Sequence, residues 1–170
     1  MKKVFLLFAA LLCCLPILGG CTGQTPDVSL TTAVSTVYME VLDPYDEGWL
    51  NQFDAEKITE ELGVDASLYT EASVYASSKA SRAAVFAGFS AAEGKMDALI
   101  DALQKAKENA MTSFDGYLPD QYLIAKNAEI KQYGDYCFLI MTEQNETVVK
   151  ALEDFFNGVS TLSSSSQPQQ

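Results

Sequence analysis

The sequence predicts an α+β fold: N-terminal helices followed by two ββα units, forming an antiparallel four-stranded sheet with the helices packed on one face. Three observations predict it. Apolar residues recur at helical spacing near residue 30 and again in two long stretches of the second half. Two pairs of short apolar and aromatic runs are joined by polar or glycine-containing connections. Each pair precedes one of the long helical stretches, whose apolar stripe needs a sheet to cover it.

Leu30, Val34, Val37, Tyr38 and Val41 define the first helix, which stops before Pro44. The turn-rich stretch DPYDEGW follows. Asp54 is placed to cap a short second helix containing Ile58 and Leu62, with Gly63 at its end. Residues 68–76 and 83–89 read as strands joined by the polar connection 77–82. Ser90-Ala91-Ala92-Glu93 has the form of a capping box opening the strongest helix of the chain. Met96, Leu99, Ile100, Leu103, Ala110, Met111 and Phe114 mark one face of that helix, and Asp101 with Lys105 forms an i,i+4 pair on another. Beyond DGYLPDQ, strands at 128–132 and 136–142 flank a Gly134-Asp135 turn. Asn145 then caps a last helix with Val148, Val149, Leu152, Phe155, Phe156 and Val159 as its stripe and an end near Gly158.

The first 21 residues carry an address. Lys2 and Lys3 precede an apolar run from Val4 to Leu18, broken by Pro16 and followed by Gly19-Gly20. That is the layout of a secretory signal and too short for a membrane span, which needs roughly 20 apolar residues. Leu18-Gly19-Gly20-Cys21 resembles the bacterial lipobox. The Cys21 thiol is nucleophilic enough to take a diacylglyceryl group, and the small residues before it admit the backbone to a peptidase cleft. Each buried methylene contributes about 0.8 kcal/mol, so two or three acyl chains anchor stably. The expected organisation is a signal peptide at 1–20, a lipid-anchored tether at 21–29, one α+β domain at 30–159 and a disordered Ser/Gln-rich tail at 160–170.

Composition narrows the chemistry. The chain carries 11 basic and 23 acidic residues, and loss of Lys2 and Lys3 makes it more acidic still. Nucleic acid is excluded as a partner, since no basic face exists to release its counterions. Attachment to anionic headgroups must rest on the lipid at Cys21 rather than on the protein surface. With no histidine in the sequence, Ser-His-Asp and Cys-His catalysis and imidazole-based zinc sites are ruled out. Cys137, in the apolar run YCFLIM, reads as a buried inert thiol. Ser78-Lys79 and Ser81-Arg82 have the residue types of a Ser-Lys pair, but serines in a turn are explained by local hydrogen bonding. Asp43, Asp46 and Glu47 lack the ligand alternation of a calcium loop, so no metal and no cofactor is expected. The aromatic turn FDGYLPDQYL mounts Phe114, Tyr117 and Tyr122 around Gly116 and Pro119. These rings are a candidate interaction surface, the alternative being that they plug the edge of the sheet.

With these motifs in place, the chain resembles a family of short lipoproteins of Gram-positive anaerobes defined only as a domain of unknown function. The resemblance runs from about Ala55 to Phe156. It is carried by ELGVD at 61–65, ASVYASSKASRAAVFAG at 72–88, the long helix leading into FDGYLPDQ at 114–121, and AEIKQYGDYCFLIMT at 128–142. Where the family often carries an arginine in the C-terminal half of the long helix, this chain has Lys105 and Lys107. The resemblance implies an extracytoplasmic address and brings no catalytic residue. The expectation is a lipid-anchored cell-surface protein without enzymatic activity, a binding or interaction module with an envelope protein as partner. Its rivals are an envelope enzyme using carboxylates and a small solute-binding accessory of a transporter.

Overall fold

The computed structural model describes residues 28–165. Cys21, the signal segment and residues 166–170 lie outside them. Helix α1 (Leu30–Val37) begins where the Ser29 hydroxyl accepts the Thr32 N–H at 3.2 Å. It widens into a π-helical turn, Tyr38–Leu42, and tightens into a 3-10 turn at Asp43–Tyr45, where Pro44 stops regular helix. Strand β1 (Asn51–Gln52) is followed by α2 (Ala55–Lys57), which is capped by the Asp54 carboxylate, continues as a π-helical turn (Ile58–Leu62) and ends at Gly63. The chain then runs through β2 (Tyr69–Ala76), β3 (Val85–Ala91), α3 (Met96–Phe114), α4 (Pro119–Lys126), β4 (Glu129–Tyr133), β5 (Tyr136–Met141) and α5 (Asn145–Ser165). Among the described residues no helix is long and apolar enough to cross a membrane.

The α+β class and the antiparallel sheet are as the sequence predicts, with two differences in the arrangement. The sheet has five strands in the order β1-β2-β3-β5-β4, because Asn51 and Gln52 add to Ala76 and Tyr75 at the edge of β2. Two polar residues are too short to show a strand period. The helices also cover both faces rather than one. On the first face Leu99, Leu103, Ala106 and Phe114 of α3 and Ala125 of α4 meet Val74, Ala87, Phe89, Cys137, Leu139 and Met141. On the second, Leu30, Val34 and Val37 of α1 and Val148, Leu152 and Phe156 of α5 meet Phe86, Tyr136, Phe138 and Ile140. A strand covered on both faces has no polar positions to alternate with, and every residue of β5 is buried.

Gly88 measures how closely the second face is packed. A Cβ at this position would lie 2.6 Å from Val34 Cγ2, 2.9 Å from Phe138 Cε1 and 3.0 Å from Leu30 Cδ1, so α1 sits almost on the backbone of β3. The Glu71 carboxylate fixes the start of the helix by accepting the Thr31 N–H at 3.2 Å and hydroxyl at 2.8 Å.

Four local expectations are corrected. Ser90 belongs to β3, opposite Tyr136, and forms no capping box; Gly94, at φ 68°, turns the chain before α3 starts at Met96. Part of DGYLPDQ is helix, with Pro119 in the first turn of α4, where its missing N–H is harmless. Only Ala125 of α4 is buried, so the helix carries no apolar stripe to read. Asn145 Oδ1 accepts the Thr142 N–H at 2.7 Å and Nδ2 donates to the Asn127 carbonyl at 2.9 Å, so its side chain links β5 to α4 instead of capping α5. Helix α5 passes Gly158 and takes in residues 160–165, since one interior glycine costs only about 1 kcal/mol.

Candidate functional site

Among the described residues, the loops at one end of the sheet bring aromatic, cationic and acidic side chains together. The first of these loops is the segment after α1. Asp46 accepts hydrogen bonds from the Trp49 N–H at 2.6 Å, the Leu50 N–H at 3.1 Å and the Tyr38 hydroxyl at 2.8 Å. Burial pushes its carboxyl up, but these donors outweigh burial and hold it below the ordinary value. Tyr38 is raised well above the ordinary phenol, by burial first and by its bond to Asp46 second, and its ring stacks on Tyr75 at 4.0 Å. The acid that the composition offered as a calcium ligand is thus occupied in shaping a loop.

That loop presents Trp49. Its indole Nε1–H donates to Glu47 at 3.3 Å, Lys79 Nζ lies 3.7 Å from the ring centroid, and Arg82 Cζ lies 4.4 Å from it. Such cation–π contacts contribute about 0.5–1 kcal/mol each at exposed sites. Both cations come from the connection between β2 and β3. There the Ser77 N–H donates to the Ala84 carbonyl at 2.9 Å, the Lys79 N–H to Ser77 Oγ at 3.2 Å, and the Ala83 N–H to Gln121 Oε1 on α4 at 2.8 Å. Arg82 also faces Glu143 at 3.8 Å, a weak pair on an exposed rim. Lys79 is held on the indole ring, which suits a fixed charge at a surface and gives no serine a base.

The same connection separates two cavities. On one side lies a polar cleft of about 290 Å³, walled by Tyr45, Glu47, Trp49, Arg82, Glu143 and Gln144. On the other lies a pocket of about 430 Å³ between the connection, the π-helical turn after α2 and the C-terminal half of α3. Its floor is apolar, with Phe53, Leu62, Ala106, Phe114 and Met141 among its walls.

The three rings of the aromatic turn differ in exposure. Phe114 is buried at the wall of the apolar pocket, Tyr122 is half-buried on α4, and Tyr117 stands 74% exposed. Cys21 lies outside the described residues. Cys137 is fully buried, and burial pushes its thiol up to about 11, which keeps it protonated and unreactive. Lys107 donates to the Ala128 carbonyl at 2.7 Å and ties α3 to the start of β4. Trp49, Lys79 and Arg82 come together only in three dimensions. The signal available in the sequence was a lone tryptophan in an acidic turn and two cations in a serine-rich one.

The model of a family described as Domain of unknown function (DUF4358) matches residues 43–142. This span runs from the turn before Trp49 to the end of β5 and includes both loops that meet on the indole. No curated protein and no solved structure matches the chain.

Proposed function

The chain belongs to this DUF4358 family, and from that premise we propose that it is a lipid-anchored extracytoplasmic protein acting as a non-enzymatic binding module. The address rests on the lipobox ending in Cys21 and the preceding signal-like run. Membrane attachment is through the diacylglyceryl group on Cys21, and an envelope protein or small molecule is the partner.

One observation carries the binding reading: Trp49, Lys79 and Arg82 are held together by two loops and flanked by two cavities at the sheet end. Aromatic and cationic side chains fixed by a scaffold form the surface type from which recognition sites are built.

Two measurements test the proposal. Labelling with a clickable fatty acid should mark the wild type and leave Cys21→Ala unmarked; equal label in both removes Cys21 as the anchor. Purified protein should show no turnover of cell-wall glycans. Turnover abolished by Glu143→Gln would replace the binding module with a carboxylate enzyme.

A further inference from the structure

We propose that the apolar pocket beside the β2–β3 connection binds a straight-chain aliphatic carboxylate, tail inward, with its head between Lys79 and Arg82. This deepens the binding-module reading and rests on it for biological sense, though not for the geometry. About 430 Å³ stays open between α3 and the end of the sheet.

The space exists because Ala76, Ala83, Ala106 and Ala110 stand where larger side chains would fill it. Buried Phe114 and Met141 add to its walls. The lining combines these apolar walls with Glu61, Lys79, Arg82 and neutral polar residues, so its apolar part suits a hydrocarbon and its charged part a head group. A chain of methylenes can follow a floor of small side chains that a rigid ring system would bridge.

The rim selects the head. Lys79 and Arg82 line it from the connection, and Glu61 lines it from the π-helical turn. Arg82 already faces Glu143 at 3.8 Å from the polar cleft, so Lys79 is the main attraction for a single negative charge, with Arg82 in support. The Lys79 ammonium rests 3.7 Å from the centroid of Trp49, a wall of the polar cleft, so holding the head draws it off the indole. Asn109 and Ser113 on α3 supply further polar rim.

Trp49 is the single tryptophan of the chain, so its emission reports the cations directly. The full chain is reconstituted in neutral phosphatidylcholine vesicles and titrated with decanoate, decanol and acetate. Decanoate should give a saturable change in Trp49 emission, decanol a weaker one, and acetate none. Ala110→Leu, which fills the pocket, should weaken decanoate binding about tenfold or more. Lys79→Gln, an exposed substitution, should weaken it about two- to fivefold.

Titrations identical in wild type, Ala110→Leu and Lys79→Gln overturn the proposal, because the signal then comes from partitioning into the vesicle. Saturation by free leucine in place of decanoate also overturns it, in favour of a zwitterion spanning Lys79 and Glu61. If Ala110→Leu does not fold, Lys79→Gln and the decanol comparison still decide. The fatty-acid label at Cys21 is read on the same samples. Labelled protein that ignores decanoate sinks the pocket alone, and unlabelled protein that binds it sinks the anchor alone.

Discussion

The two faces of the sheet are packed to different standards. On the face covered by α1 and α5, the chain is closed to the point that β3 requires a glycine where α1 crosses it. On the face covered by α3 and α4, the core is equally apolar, yet a cavity persists toward the Trp49 end. The difference teaches where change is tolerated. Side chains that touch on all sides fix the fold, whereas slack next to an ordered charged rim is a place where a ligand can add contacts that folding does not need.

The largest expected effect breaks the closed face. Phe138→Ala removes a fully buried ring touching Tyr133 and Phe156, and should cost about 3–5 kcal/mol in urea unfolding. Phe114→Ala, at the wall of the cavity, should fall near the lower limit of about 3 kcal/mol, because part of that ring already faces open space. Equal losses at the two positions would show that the faces are packed alike.

Gly88→Ala adds one methyl group where no space exists and should cost about 1–3 kcal/mol, read as a lowered melting temperature. The matching insertion on the open face, Ala110→Leu, adds three carbons and should change stability by no more than about 0.5 kcal/mol or raise it. A strong loss there would mean that the cavity closes in solution. Tyr117→Ala should also stay within about 0.5 kcal/mol, with Tyr122→Ala between it and Phe114→Ala.

The smallest effect is the pH dependence of the Trp49 loop. The Asp46 carboxyl lies below its ordinary value in the folded chain, so the stability it contributes is present above the unfolded value, about 3.9, and is lost as pH falls through the folded value. Trp49 emission should therefore change on the acid limb before the far-ultraviolet circular dichroism does. In Asp46→Asn the early change should be absent, and its persistence would place the acid-sensitive group elsewhere.

The sequence made the elements legible where one physical signal dominated. The stripe Leu99, Leu103 and Phe114 named α3, Asp54 and Gly63 bracketed the second helix, and both hairpins were visible from their turns. It misled where two signals competed. Ser90 and Glu93 have the types of a capping box, but pairing of β3 with β2 and β5 claims Ser90 and the Gly94 turn intervenes. The two-sided covering of the sheet was present in YCFLIM, whose six apolar residues feed both faces by turns. The meeting of Trp49, Lys79 and Arg82 had no signature, since their sequence separation is bridged only by the pairing of β1 with β2.

The Tyr136 hydroxyl donates to the Val28 carbonyl at 2.8 Å and so pins the start of the described chain beside the Ser90–Tyr136 pair. The Trp49 loops lie beyond the opposite end of the same ladder, at Val85 and Met141. The six residues of β5 put on the order of 20 Å between these ends. Six residues separate Val28 from Cys21, and the seven Cα–Cα steps between them can span at most about 25 Å. A chain anchored as proposed at Cys21 would be tethered through its Val28 end, the end of the sheet remote from the indole and both cavities. A ligand in the surrounding fluid would then meet the cavities at the end opposite the point of attachment.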